Sequence, residues 1–515
     1  MSLESVTTSI DDAVSDFFEP VATNVGKVVF YTVPVGDTDL PLIVAWLVIA
    51  GLIFTTWFGL IQVRKFKLAI DVVRGKYDEE GSPGEVNHFQ ALTAAVSGTV
   101  GLGNIAGVAI AVSIGGPGAT FWMILCGLLG MASKFVEVTL GVKYREEHED
   151  GTVSGGPMHY LPKGLAERFG SGGAKFGKVL AVLASVMILF FGLFGGNLFQ
   201  TNQSYAQVAS NFGGEDGFMA SSTGAVLFGL VVAALVGLVL LGGIRSIASV
   251  TSKLVPAMAG MYIVACLVVI LANVTAVPDA VQDILKGAFE ADGVAGGVIG
   301  ALIVGFQRAA FSNEAGLGSA PIAHSAVKTK HPASEGLVAL LEPFIDTVII
   351  CTMTALTIAI ANPPSWAEAR EGNADEIGGV TITSDAFETV LPWFPDLLTV
   401  AVLLFAFSTI LTWGYYGLKA WTYLFGKSRT SEIVFKAIWS AFVVLGSLLS
   451  LDSLISLADS ALFLLSVFNI IGLYLLAPVV KRELNSFLDF VRGREARAAV
   501  GGGDPADERE SAKVA

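Results

Sequence analysis

Charged side chains are scarce in this sequence of 515 residues. Asp, Glu, Lys and Arg make up 15% of it, whereas apolar residue types make up 53%. Soluble domains carry about 25% charged residues, so the composition excludes an ordinary soluble enzyme and a disordered chain. The formal charge of −14 argues against a nucleic-acid partner, because nucleic acid is bound by basic surfaces.

Cysteine and histidine are also rare. The three cysteines, Cys126, Cys266 and Cys351, all lie in apolar stretches, so their spacing indicates no disulfide framework and no zinc site. The five histidines form no HxxxH pair and fall mostly in predicted inner loops. We therefore expect a protein that is not an enzyme, has no cofactor and holds no metal through these residues.

Long apolar stretches, in contrast, are abundant. About 20 apolar residues in a helix span the hydrocarbon core of a membrane. The sequence predicts an all-α polytopic membrane protein with about eleven transmembrane helices. The predicted spans are 40–63, 89–114, 117–142, 179–210, 222–243, 254–274, 294–320, 334–361, 396–418, 433–449 and 453–478.

Lys and Arg are distributed unevenly over the connections between these spans. Of the 31, one alternating set of connections holds 26, the other set holds only Lys27, Lys286 and Arg370, and Lys134 and Arg308 lie within spans. Because basic loops remain cytoplasmic, we predict an outside N-terminus and a cytoplasmic C-terminus in a multi-pass protein of the plasma (inner) membrane. The acidic N-terminal arm does not have the pattern of a cleavable signal peptide.

The ten spans after the first divide into two sets of five. Because five is odd, the second set enters the membrane from the opposite side, as in an inverted repeat. We predict an extracellular arm, an extra helix with a cytoplasmic loop, two five-helix repeats and a disordered cytoplasmic tail. Their boundaries are 1–39, 40–88, 89–293, 294–480 and 481–515.

The first helix of each set carries a polar, glycine-rich interruption. Residues 97–104 read SGTVGLGN and residues 312–319 read SNEAGLGS. Close helix packing explains one such motif, but two at matching places indicate unwound breaks that leave N–H and C=O groups free inside the membrane. Free N–H groups attract a carboxylate and free carbonyls attract Na⁺ or an ammonium group, which suits a zwitterionic amino acid bound with a cation.

Four segments of the sequence resemble the alanine or glycine:cation (sodium) symporter family. They are ALTAAVSGTVGLGNIAGVA (91–109), GGNLFQTNQSYA (195–206), FSNEAGLGSAPIAHSA (311–326) and FSTILTWGYYG (407–417). The resemblance covers roughly 40–480. It implies the five-plus-five inverted repeat of the LeuT-like transporters with one extra N-terminal helix. It also implies uptake of small neutral amino acids (alanine, glycine) with Na⁺ as the coupling ion.

Most candidate substrate-binding residues lie at the two interruptions. Glycines let the backbone approach a ligand, hydroxyl and amide groups can contact it, and the bulky ring of Trp413 would exclude large side chains. The resemblance adds Gln200, and packing is an equally good explanation for the phenylalanines. The candidates are Ser97, Gly98, Thr99, Gly101, Gly103, Gln200, Phe306, Phe311, Ser312, Asn313 and Trp413.

The candidate sodium ligands carry hard oxygen donors. The resemblance places a sodium site between the second span and the span at 396–418. The candidates are Thr99, Asn104, Asp346, Ser408, Thr409 and Thr412. Alternatively, Asn104 is only a helix cap, the hydroxyls of the last three bond to the preceding helical turn, and Asp346 or Glu314 pairs with Arg308.

Other functions remain open from the residues alone. Coupling to H⁺ instead of Na⁺ is the main alternative, and a channel is a weaker one because it predicts a repeated filter motif. The residues leave open the choice between alanine and glycine, the stoichiometry and the oligomeric state.

Overall fold

The computed structural model describes residues 19–35, 38–212, 217–290, 297–373, 378–449 and 452–499. Nearly all regular structure in these residues is helical. Seven of their helices are long and apolar enough to cross a membrane, or eight when one bent pair is counted as a span. The prediction of a helical polytopic membrane protein is therefore confirmed, and the count of eleven spans stays a prediction.

The first half of the chain begins with a helical segment at 19–29 and a short antiparallel hairpin of β1 (Thr32–Val35) and β2 (Thr38–Pro41). A second hairpin, β3 (Glu146–Glu147) and β4 (Val153–Ser154), connects two of the helices. The helices are α1 Leu42–Trp57, α2 Ile61–Arg64, α3 Phe66–Val73, α4 His88–Thr99, α5 Ala106–Ile114, α6 Ala119–Lys143, α7 Pro157–Leu193, α8 Phe199–Phe212, α9 Ser222–Leu240, α10 Gly243–Ala272 and α11 Val277–Phe289.

The second half contains ten further helices. They are α12 Gly297–Asn313, α13 Ala320–His324, α14 Pro332–Ala339, α15 Leu341–Pro343, α16 Thr352–Ala361, α17 Pro364–Glu368, α18 Gly379–Glu388, α19 Phe394–Phe425, α20 Arg429–Gly446 and α21 Asp452–Ala499. Short 3₁₀ or π-helical segments join several of them. Two of these, Phe194–Leu198 and Phe344–Cys351, are π-helical and connect α7 to α8 and α15 to α16.

The first interruption separates α4 from α5. Asn87 caps the start of α4, because its side chain accepts a hydrogen bond from the Gln90 N–H at 2.8 Å. The helix ends where Val100 adopts an extended conformation. A 3₁₀ turn at Leu102–Asn104 follows, and the two helices are bent by 60° at the break. The predicted unwinding of the first motif is confirmed.

The second interruption separates α12 from α13. Three residues in it have positive φ angles: Glu314 at +55°, Gly316 at +86° and Gly318 at +81°. Glycine adopts this conformation without the steric cost of a Cβ atom, so the motif's two glycines allow the chain to unwind. The second predicted break is also confirmed.

The predicted disorder of the tail at 481–515 is wrong for residues 481–499. α21 continues through Pro478 to Ala499, because its end packs against other parts of the protein. Phe487 and Val491 are buried, and Lys143 Nζ lies 2.6 Å from Glu483 Oε1. Residues 500–515 and most of the predicted N-terminal arm lie outside the described residues, and the boundaries of the two repeats stay predictions.

Gly118 provides a test of close packing before α6. A Cβ atom at this position would lie 2.1 Å from the backbone carbon of Gly287 in α11. We expect Gly118→Ala to lower the free energy of unfolding by about 1–3 kcal/mol, the usual cost of overpacking. The measurement is the thermal unfolding midpoint of the purified protein in detergent.

Gly107→Ala is the matched control for this change. A Cβ atom at Gly107, in α5, would meet no atom within 4 Å, so the same added methyl group should leave the midpoint unchanged or raise it slightly. Equal midpoints for the two variants would contradict the packing of α6 against α11.

Candidate functional site

Asn104 joins the two interrupted helices. Its Nδ2 donates to Ser312 Oγ at 2.9 Å and to Asp346 Oδ1 at 2.6 Å. Its Oδ1 accepts the Gly101 N–H at 2.8 Å. One fully buried side chain therefore connects the first break, the second break and the π-helical segment that carries Asp346. Asn104 thus does more than cap a helix, which was the alternative role.

The carboxylate of Asp346 is completely buried. Besides Asn104, it accepts hydrogen bonds from Ser312 Oγ at 2.8 Å and Thr347 Oγ1 at 2.7 Å. All three donors are uncharged, and an isolated buried carboxylate is costly. This position therefore attracts a cation or a proton.

The alternative pairing of Asp346 or Glu314 with Arg308 is wrong. Arg308 Nη2 instead lies 3.1 Å from Asp459 Oδ2. Asp459 comes from α21, so the basic side chain is paired with a helix that carries neither break.

Hydroxyl and carbonyl oxygens line the contact between α4 and α19. Ser97 Oγ donates to the Ser408 carbonyl at 2.8 Å, and Thr409 Oγ1 donates to the Ser97 carbonyl at 3.1 Å. Thr412 Oγ1 donates to the Ala94 carbonyl at 3.1 Å and lies 3.0 Å from Ser97 Oγ. These predicted residues are thus brought together, and their oxygens are the type of ligand that hard cations prefer.

Two of the predicted hydroxyls also bond within their own helices. Ser408 Oγ donates to the carbonyl of Phe405 at 3.0 Å, and Thr99 Oγ1 donates to that of Val96 at 3.2 Å. Ser408 thus makes the bond to the preceding helical turn that the alternative predicted, and Thr99 makes a bond of the same kind. Thr409 and Thr412 instead donate to carbonyls of α4.

Glycines allow the first break to approach α19 closely. A Cβ atom at Gly98 would lie 2.9 Å from Thr412 Cγ2, and one at Gly101 would lie 2.6 Å from Thr409 Oγ1. At Gly103 the nearest atom, in the Phe311 ring, would be 3.4 Å away, an ordinary contact. Two of the three predicted glycines are therefore required by packing against α19.

Gln200, at the start of α8, completes the first break. Its Oε1 accepts the Leu102 N–H at 3.2 Å, and its Nε2 donates to the Gly195 carbonyl at 3.3 Å. The side chain therefore satisfies a backbone donor that unwinding has freed.

The two predicted phenylalanines lie in different surroundings. Phe311 is next to the first break and packs edge-on against Phe191 and Phe199, with ring centroids 5.6 and 5.8 Å apart. Phe306 lines a small pocket together with Cys126 of α6 and residues of α1. The structure therefore does not bring Phe306 to the position of Phe311.

Trp413 contacts the second break. Its indole N–H donates to Glu314 Oε1 at 3.0 Å, and Ser319 Oγ donates to Glu314 Oε2 at 2.6 Å. Its ring lies 4.7 Å from that of Phe191, and a Cβ atom at Gly196 would collide with it at 2.4 Å. The tryptophan is thus fixed between the second break and α7–α8.

In addition to Ser312, the second break has hydrogen-bond partners that the sequence did not predict. Asn313 Nδ2 donates to Thr347 Oγ1 at 3.0 Å. Glu137 Oε2 accepts the Gly318 N–H at 2.9 Å, and Asn469 Nδ2 donates to the Gly316 carbonyl at 2.8 Å. A lone Asn in an apolar span was the available signal for Asn469.

Lys134 is shared between two carboxylates. Its Nζ lies 3.8 Å from Glu137 Oε1 and 3.2 Å from Glu342 Oε2. Within the part of the chain that the structure describes, no group of three or more His, Cys, Asp or Glu residues is arranged to hold a metal ion.

Two interrupted helices that meet at a buried polar centre define a secondary transporter built on an inverted repeat. The solved structure of MhsT in complex with L-phenylalanine has this LeuT-like fold. It matches with a TM-score of 0.52 and 14% identity, over 79% of this chain and 99% of that one. The predicted fold is confirmed.

The chain belongs to the sodium:alanine symporter family, whose sequence profile matches residues 29–499. It is 38% identical to the sodium/alanine symporter AgcS of Methanococcus maripaludis, over 89% of this chain and 96% of that protein. It is 37% identical to the amino-acid carrier protein AlsT of Bacillus subtilis, over 85% and 87% respectively. The resemblance seen in the four segments is therefore confirmed.

The Trp413–Glu314 contact can be tested by Trp413→Phe. The variant leaves the buried carboxylate of Glu314 without one hydrogen-bond donor, so we expect the free energy of unfolding to fall by about 1–3 kcal/mol. Trp439→Phe is the control, because Trp439 is fully buried and its indole N–H has no hydrogen-bond partner among the described residues. The measurement is the thermal unfolding midpoint of each variant in detergent. If the midpoint of Trp439→Phe falls as far as that of Trp413→Phe, the contact is refuted.

Proposed function

We propose that the protein couples the uptake of a small neutral amino acid, alanine or glycine, to the inward movement of Na⁺ by alternating access. The observation that carries this proposal is the meeting of both unwound segments at Asn104, within hydrogen-bonding distance of Ser312 and Asp346. Membership of the sodium:alanine symporter family and the names of the relatives support it.

The amino acid would bind along the two breaks. We assign its carboxylate to the backbone around Gly101 and Gly103, because N–H groups at a helix start favour an anion. Its ammonium group would face Ser312 and Asn313. Gln200, which already bonds to this backbone, would hold the first break in its binding conformation.

Aromatic rings would limit the size of the substrate. Phe311 lies beside Gly103, and Phe191 packs on both Phe311 and Trp413. A wall of three buried rings would favour a methyl group or a hydrogen atom over a long side chain. This arrangement supports alanine or glycine as the substrate.

Na⁺ would bind between α4 and α19. Thr409 and Thr412 offer hydroxyl oxygens, and the carbonyls of Ala94, Ser97 and Ser408 already lie in the same contact. The ion would therefore link a helix of the first repeat to one of the second. Ordering of the first break by Na⁺ would raise substrate affinity, and substrate would raise Na⁺ affinity equally.

Asp346 supports a second cation position and also the alternative of H⁺ coupling. Its buried carboxylate has three uncharged donors, one of them from Asn104. Either a Na⁺ ion or a proton would neutralise it.

Uptake of labelled alanine into proteoliposomes tests the coupling. We expect accumulation when an inward Na⁺ gradient is imposed, and none when K⁺ replaces Na⁺ at constant pH. A pH gradient that drives the same accumulation without Na⁺ would establish the H⁺-coupled alternative. Gradient-independent leakage would contradict symport altogether.

Thr412→Val tests the proposed Na⁺ position. The substitution keeps the side-chain shape but removes an oxygen. We therefore expect the Na⁺ concentration for half-maximal uptake to rise about tenfold, which corresponds to a loss of about 1.4 kcal/mol in binding free energy. Thr357→Val is the control, because the buried Thr357 hydroxyl donates to the Met353 carbonyl within its own helix, α16. A similar Na⁺ dependence in both variants would exclude Thr412 as a ligand.

A further inference from the structure

A row of titratable side chains, buried except at its first member, lies outside the proposed substrate and sodium sites. We call it the histidine–carboxylate row. It begins in the loop between α3 and α4, which belongs to the set of connections that holds most Lys and Arg residues, and ends at α6. Its members, in order, are Asp78, His88, Glu335, His324, Glu342 and Lys134.

Glu335, in α14, contacts one end of each interrupted helix. Its Oε2 contacts Nδ1 of His88, the first residue of α4. Its Oε1 lies 2.5 Å from Nδ1 of His324, the last residue of α13. Backbone bonds reinforce this connection, since the Val86 carbonyl accepts the Lys328 N–H at 2.8 Å.

His324 has a carboxylate on each ring nitrogen. Besides Glu335 on Nδ1, Glu342 Oε1 lies 2.5 Å from its Nε2. An ionised carboxylate only accepts hydrogen bonds, and a neutral imidazole has only one N–H. A neutral ring between two ionised carboxylates can donate only one of these two bonds. Both bonds can form only if one further proton is bound, either on the ring or on a carboxylate.

The charge of the surroundings leads to the same conclusion. Glu137, Glu335 and Glu342 are all fully buried, and Lys134 is the one fully buried ammonium group beside them in the described structure. Three carboxylates against the ammonium group of Lys134 and the guanidinium group of Arg145, which interacts with Glu335, still leave a net negative charge that burial disfavours, unless protons are bound. The groups that act on the row from neighbouring elements are Glu137, Arg145, Glu314 and Arg494.

We propose that His324, Glu335 and Glu342 form a proton-binding site, whose proton exchanges with the basic-loop side of the membrane through His88 and Asp78. His88 Nε2 lies 3.5 Å from Asp78 Oδ1, and the Asp78 side chain is 51% exposed. The row therefore reaches from solvent to a fully buried imidazole. With the proton bound, Glu335 holds α4 and α13 together.

The ionisation of His324 is consistent with this site. Burial lowers the pKa of His324, but the charges and hydrogen bonds of Glu342 and Glu335 outweigh burial and raise the pKa to about 9. The proton is therefore held at neutral pH and lost only as the pH rises through about 9. An exposed histidine has a pKa of about 6.5, so any conformation that separates the row would release this proton near pH 7.5.

Histidine-selective ¹⁵N NMR of the protein in lipid nanodiscs tests the proposal, since the chain has only five histidines. At pH 7.5 we expect an imidazolium signal with both nitrogens protonated, which persists above pH 8 and is lost in His324→Gln. His148→Gln is the control. His148 Nε2 bonds to the Ser154 hydroxyl at 2.9 Å, and burial and Lys427 lower the pKa of His148, so the signal should remain.

Glu342→Gln provides a second variant that keeps the ring. It removes one of the two carboxylate charges, so we expect the proton affinity of His324 to fall at least tenfold. The proposal is overturned if the wild-type protein has no imidazolium above pH 7.5, if no imidazolium signal is lost in His324→Gln, or if Glu342→Gln leaves the titration of that signal unchanged. The readout is made on the resting protein, so a failure of Na⁺-driven uptake would be a separate result.

Discussion

The constraint on which the structure depends is that unwound backbone inside a membrane must find hydrogen-bond partners within the protein. Each break solves this with side chains from other helices. At the first break, Asn104 and Gln200 accept N–H groups of Gly101 and Leu102. At the second, Glu137 and Asn469 bond to the backbone of Gly318 and Gly316. Because lipid offers no alternative partners, these contacts fix both the positions and the shapes of the breaks.

The same contacts connect parts of the chain that are distant in sequence. Asn104 links the breaks to each other and to Asp346, while Thr409 and Thr412 link α4 to α19. An ion bound at either place would act on two helices at once. Under the proposed function, ion binding and the shape of the substrate site would therefore be coupled through more than one helix.

Local sequence features predicted the parts of the structure that depend on local chemistry. Apolar length predicted the helices, and two glycine-rich motifs predicted the breaks, because glycine and buried polar groups destabilise a membrane helix wherever they occur. Partners distant in sequence were not predictable. Arg308 pairs with Asp459, 151 positions away, and Phe306 and Phe311 face different clusters although they share a helix. His88 and His324 looked like loop residues, since only the folded chain brings Glu335 between them.

Glu314 combines a strained backbone with a side chain that holds a tryptophan. Its φ of +55° is a conformation that costs an L-residue roughly 1–2 kcal/mol, and Gly316 and Gly318 show how the neighbouring chain avoids that cost. A glycine at 314 would relieve the strain but remove the carboxylate that accepts the indole N–H of Trp413. The backbone conformation and the orientation of the ring thus place opposite demands on a single position, so the aromatic wall of the proposed substrate site depends on a residue that the local conformation disfavours.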